Sequence, residues 1–119
     1  MTTLDTDSDA LAVVERFNEA WNAHDLQAAL ALTTDDCIFE ATGPSPDGAR
    51  AQGRAELAAA WEPIFADTSS HFTTEEAFAA GDRVVARWRY DWDGGHVRGI
   101  DLIRVRDGLV AEKLAYVKG

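Results

Sequence analysis

Between Val97 and Arg106 the side chains alternate in character, so that Val97, Gly99, Asp101, Ile103 and Val105 share one face of an expected strand. Arg98, Ile100, Leu102, Arg104 and Arg106 share the other. Asp101 is the one ionisable group on the apolar face. A carboxyl group placed there leaves water and must be hydrogen-bonded, paired or neutralised. Under those conditions it can act as an acid or base, for example toward a proton next to a carbonyl. A structural role is open as well, because Lys113 lies in the following strand. A three-residue loop at Arg106-Asp107-Gly108 sets Asp101 opposite Lys113 as an ion pair, whereas a two-residue loop sets it opposite Leu114.

The other candidates follow from residue type. His71 opens the strand-rich C-terminal half and is the candidate proton-transfer partner of Asp101, so the catalytic pair expected is Asp101 and His71. Phe17, Trp21, Phe39, Trp61, Phe65, Trp88, Tyr90 and Ile103, with Lys113, are the candidate substrate-binding residues. Four tryptophans are a heavy load for so short a chain, and their flat rings suit walls round a cyclic ligand as well as a core. His24 and His96 sit at expected turns and read as surface residues. No histidine pair has metal-binding spacing, and Asp35-Asp36 reads as a capped or solvated turn, so no metal is expected. There is no Ser-His-Asp motif, glycine-rich phosphate loop or nucleotide fingerprint, and hence no cofactor is expected. Cys37 reads as a small core filler.

These residues need elements to position them. Ala10, Val13, Val14, Phe17, Ala20 and Trp21 recur at helical spacing and predict a first helix, capped at Ser8 or Asp9. Asp25 then caps a short second helix through Leu26, Ala29 and Leu30 and as far as Thr33. Cys37 to Thr42 reads as a strand, and the Pro- and Gly-rich stretch 43–52 as a loop over a pocket mouth. A third helix runs from Arg54 with Leu57, Ala58, Trp61 and Phe65 on one face, kinked or shortened by Pro63. From His71 the period becomes two. Turn signals at Gly81-Asp82, Asp93-Gly94-Gly95 and Asp107-Gly108 divide the remainder into four antiparallel strands.

At 119 residues the chain has room for one core, read as a single domain over 8–119 behind a loose polar arm, 1–7. The formal charge of −10 repels nucleic-acid backbones and anionic membrane surfaces, so neither is an expected partner. No apolar run is long enough to cross a membrane. A lone cysteine and a start without basic or apolar leader character point to the cytoplasm. Ile100 and Leu102, set among Arg87, Arg89, Arg98, Arg104 and Arg106, make a sheet face suited to a second copy of the chain.

ERFNEAWNAHDLQAALALTTDDCIFEATG, GRAELAAAW, AAGDRVVARWRYDW and RGIDLIRVRDGLVAEKLAYV resemble, in that order, the helix pair, third helix and last three strands of SnoaL-like proteins, within the nuclear transport factor 2-like superfamily. The resemblance implies an α+β fold of the cystatin-like type, a cone-shaped barrel in which a curved antiparallel sheet wraps round three helices from the N-terminal half. It also implies homodimers. Asp101 matches the strand aspartate that acts as acid/base in SnoaL-like polyketide cyclases and helps form the oxyanion hole in ketosteroid isomerases. Phe17 and Ala41 stand where the isomerases carry a tyrosine and an aspartate base, and Ala115 where limonene epoxide hydrolases carry a last-strand aspartate. Two functions therefore stand open. One is a cofactor-free isomerase, cyclase or dehydratase acting on a small hydrophobic carbonyl or polycyclic molecule. The other is a non-catalytic binding or interaction module with Asp101 tied to Lys113.

Overall fold

The computed structural model describes residues 6–119, with only the backbone of Thr6; residues 1–5 of the expected arm lie outside the described residues. Nine elements follow in order: α1 (Thr6–Asn22), α2 (Leu26–Ala31), β1 (Thr33–Glu40), β2 (Arg50–Gln52), α3 (Arg54–Ala66), β3 (His71–Ala80), β4 (Arg83–Trp92), β5 (Gly95–Arg106) and β6 (Leu109–Val117). The strands form one curved sheet of order β2-β1-β6-β5-β4-β3. It is antiparallel throughout except where β1 runs parallel to β6. The α+β class and the wrapped sheet expected from the sequence are both present.

The α1 stripe is as the spacing predicts, with Ala10, Val13, Val14, Phe17 and Trp21 all buried. The helix starts earlier than expected. Thr6 and Asp7 belong to it, with Asp7 and Asp9 in the first turn, where a carboxylate suits the positive end of the helix dipole. Asp7 also accepts a 2.7 Å hydrogen bond from the Gly81 amide in the β3–β4 turn. At the other end His24 takes a left-handed conformation (φ 55°), its amide bonding the Trp21 carbonyl while that of Asp25 bonds Ala20. This is the paired closure usually built on glycine. Asp25 then caps α2 through the Ala28 amide at 3.0 Å.

Four expectations need correction. Helix α2 stops at Ala31 and β1 begins at Thr33, so Asp35 and Asp36 lie within a strand and not in a turn. The 43–52 loop ends in a short strand, β2, which pairs with β1 through Phe39 and Ala51. Helix α3 continues past Pro63 to Ala66, because a proline in the last turn removes only one late hydrogen bond. His24 is no free surface residue, since its ring Nε2 lies 2.9 Å from the Ser70 carbonyl oxygen.

Candidate functional site

The geometry of the site is set by the β5–β6 hairpin. Arg106 pairs with Leu109 across a two-residue turn in which Asp107 and Gly108 both have positive φ (55° and 73°), as a tight hairpin requires. The register then shifts: Val105 faces Val110, but Arg104 faces Glu112. Ala111 is thus an extra residue in β6, and beyond it Asp101 lies opposite Ala115 and Ile103 opposite Lys113. Neither register considered from the sequence occurs. Because side chains alternate, this one-residue bulge puts Lys113 and Ala115 on the face of Asp101; an unbroken register would have put Leu114 and Glu112 there.

The consequence is a buried diagonal ion pair, Lys113 Nζ to Asp101 Oδ2 at 2.6 Å, with each side chain 5% exposed. Lys113 Nζ also stands 4.9 Å from the centroid of the Trp21 ring and 5.8 Å from that of Phe72, within reach of the negative faces of both rings. The other carboxylate oxygen, Asp101 Oδ1, is buried and has no hydrogen-bond partner among the described residues.

The pair closes one end of a cavity of about 150 Å3. Trp21, Phe39, Phe72, Trp88 and Tyr90 form its aromatic walls. Its width comes from small side chains, Ala41 and Ala115. On the far side of the pair, a cleft of about 10 Å3 runs between Asn18, Thr74 and Ala86, space for about one water molecule. Two features fix the walls. The indole of Trp88 lies across Gly99, where a Cβ would come within 2.7 Å of the ring. Asn22 grips the Phe72 backbone from both sides, receiving its amide (2.8 Å) and donating to its carbonyl (2.9 Å), and so ties the end of α1 to β3.

Six of the candidates named from the sequence border this cavity: Trp21, Phe39, Trp88, Tyr90, Asp101 and Lys113. Phe17, Trp61, Phe65 and Ile103 do not; they are buried in the core, with Phe17 and Trp61 5.7 Å apart. His71 is exposed at the start of β3, opposite Asp91, and is not part of the wall. Cys37 is fully buried, and burial, reinforced by the Asp36 carboxylate, pushes its thiol up to about 12. Phe72 and Asn22 were not singled out from the sequence. The period-two pattern held the signal for Phe72, but an asparagine at a helix end signals only a cap. No cluster of three or more potential metal ligands occurs among the described residues.

The SnoaL-like domain family signature matches residues 14–113. The chain belongs to the SnoaL-like family. Among solved structures it is similar to a nuclear transport factor 2-like protein of unknown function from Mesorhizobium loti, 40% identical, with 99% of this chain and 98% of that one covered and a TM-score of 0.87. A computationally designed 17-OHP binder is 29% identical over 95% of this chain and 93% of its own, with a TM-score of 0.81. A Mycobacterium tuberculosis protein solved with estradiol-17beta-hemisuccinate is 29% identical over 91% and 92%, with a TM-score of 0.77. No curated protein matches the sequence. No helix among the described residues is long and apolar enough to cross a membrane.

Proposed function

We propose that this SnoaL-like protein binds a small hydrophobic molecule in the cone and turns it over without a cofactor, as an isomerase, cyclase or lyase, with Asp101 as acid/base. The observation that carries the reading is a cavity that reaches a buried carboxylate with one oxygen unpartnered. Asp101 Oδ1 takes a proton from the carbon next to a bound carbonyl. The Lys113 ammonium steadies the negative charge that develops on the substrate oxygen, and the proton returns at a second carbon or leaves with a departing hydroxyl. The relatives bound to, or designed for, organic ligands support a binding cone. His71 lies too far out to serve as a wall residue and has no role in this reading.

The test is ligand-observed NMR against a panel of compact hydrophobic carbonyl compounds, followed by deuterium exchange at the carbon next to the carbonyl of those that bind. The expected result is binding by both the native protein and Asp101→Asn, with exchange only in the native protein. Exchange that survives Asp101→Asn removes the catalytic assignment. A second reading, a binding module with Asp101 and Lys113 as a structural pair, is favoured by their 2.6 Å contact. Under that reading no bound compound exchanges, in the native protein or in Asp101→Asn.

We also propose a homodimer through the outer sheet face, where Ile100 and Tyr116 are 36% and 54% exposed beside Arg87 and Arg98. Light scattering giving a monomer at micromolar concentration overturns it. A reducing, cytoplasmic setting suits the single buried Cys37.

A further inference from the structure

Two residues of the cavity wall, Asp101 and Trp88, carry polar atoms buried without a partner among the described residues, and these atoms bear on what kind of molecule the site takes. Asp101 Oδ1 is an acceptor buried without a partner, and such an atom carries the full cost of its lost hydration unless something donates to it. Beside it the ammonium of Lys113 gives one hydrogen to Oδ2 and can offer another. Trp88, which also borders the cavity, has an indole Nε1–H with no partner among the described residues. The indole N–H of Trp61 is unpartnered too, but Trp61 is fully buried away from the cavity wall.

Size narrows the choice further. A cavity of about 150 Å3 has room for one benzene-sized ring. The walls are edges and faces of aromatic rings, with Phe72 meeting Trp88 edge-on at 5.1 Å and lying tilted against Tyr90 at 4.4 Å, so the ring of a ligand meets aromatic surface on several sides. Asp101 and Lys113 are the charged side chains of the lining, and Thr42 and Tyr90 add one hydroxyl each.

Resting on the small-molecule reading above, we infer that the ligand of this site is a single-ring compound bearing a hydrogen-bond donor beside an acceptor on one edge. The donor sits on Asp101 Oδ1 and the acceptor on Lys113 Nζ, and the ring lies among Trp21, Phe72 and Trp88. A ligand carboxylate does not fit, since it brings a second negative charge to Asp101 and offers it no hydrogen. A primary amide, or an enol next to a carbonyl, presents the required edge. The inference sets this site apart from one built for several fused rings.

The experiment is a titration of the 15N-labelled full chain, read at the indole N–H signals of Trp21 and Trp88, with four probes. Benzamide has the donor and the acceptor, acetophenone the acceptor alone, toluene neither, and estradiol, an uncharged steroid, tests size. Benzamide is expected to bind at least about tenfold more tightly than acetophenone, as a hydrogen bond to a charged group implies. The steroid is expected to leave both signals unmoved. In the double variant Asp101→Leu with Lys113→Met, which removes both charges together and so keeps a foldable interior, benzamide falls to the level of acetophenone while toluene binds as before. Equal binding of benzamide and acetophenone by the native protein, or a benzamide preference that survives in the double variant, overturns the inference and leaves the pocket reading standing. So does tight binding of the steroid. If none of the probes moves either indole, both readings fall.

Discussion

The interior of this protein has two halves made from the same kinds of side chain, one closed and one open. Under α1 and α3, Phe17, Trp61 and Phe65 interlock, with Trp61 at the centre of ring contacts of 5.6 Å to Phe39 and 6.3 Å to Phe65. Toward β3 and β4, Phe72, Trp88 and Tyr90 are as aromatic, yet they border a void. The difference lies in what faces them. Val13, Val14 and Leu57 pack into the first half, whereas Ala41 and Ala115 border the second and leave it unfilled. Whether an aromatic ring is a filler or a wall is therefore decided by the small residue across from it. Trp21 joins the halves, packed on Trp61 at 5.0 Å on one side and on the Lys113 ammonium on the other.

The sharpest way to break this comparison is to truncate one ring in each half. Trp61→Ala is expected to cost about 3–5 kcal/mol of unfolding free energy in a denaturant titration, because the closed half cannot collapse into the space left. Tyr90→Ala should cost clearly less, since that ring already faces a void. Equal losses would remove the distinction between filler and wall.

The ion pair comes next. Lys113→Met leaves the Asp101 carboxylate buried beside a thioether and is expected to lose about 3–5 kcal/mol, most of which Asp101→Leu in the same chain should restore. Failure of the second change to rescue the first would show that the pair matters for more than mutual neutralisation. Both are read by urea unfolding at neutral pH.

Ala115→Leu sharpens the comparison at small cost. The added carbons enter vacant space, so stability should change by less than about 1 kcal/mol while probe binding in the open half disappears. Retained binding would mean that Ala115 does not set the width of the cavity.

The smallest effects are titrations outside the cavity. Cys37, with its thiol raised from 9.0 to about 12 by burial, should not react with a thiol reagent at pH 8 until the chain unfolds. Its folded value lies above the unfolded one, so the stability linked to it is fully present below pH 9.0 and is lost as the pH rises toward 12. Asp36 behaves in the opposite sense. Hydrogen bonds from Arg106, and then Thr34, hold its carboxyl below the ordinary carboxylate value, so its contribution is present above that value and is lost as the pH falls through the folded one. Arg106→Ala should move the Asp36 carboxyl resonance upward in an NMR titration and leave the melting temperature nearly unchanged, since both groups are exposed.

Local periodicity carried much of this fold into plain view. The α1 stripe from Ala10 to Trp21, the alternation of Val84, Ala86 and Trp88 in β4, and the isolation of Asp101 on the inner face of β5 are each written in a few consecutive residues, and the interior could bury them in only one orientation. The polar roles of Asp7, Asn22 and His24 were not legible, because their partners Gly81, Phe72 and Ser70 lie 74, 50 and 46 residues away. Nor could the spacing of rings divide walls from core, since Ala41, just past β1, and Ala115, in β6, border the cavity from places distant in sequence. The meeting of Lys113 with Asp101 shows the limit most directly. Of the two loops the sequence left open, the two-residue turn at Asp107 and Gly108 is the one that forms; without a bulge it would turn Lys113 outward, and the extra residue at Ala111 reverses that. A bulge of that kind is chosen by the curvature of the whole sheet and by which register buries more apolar surface, a choice made only when β6 is packed between β5 and β1.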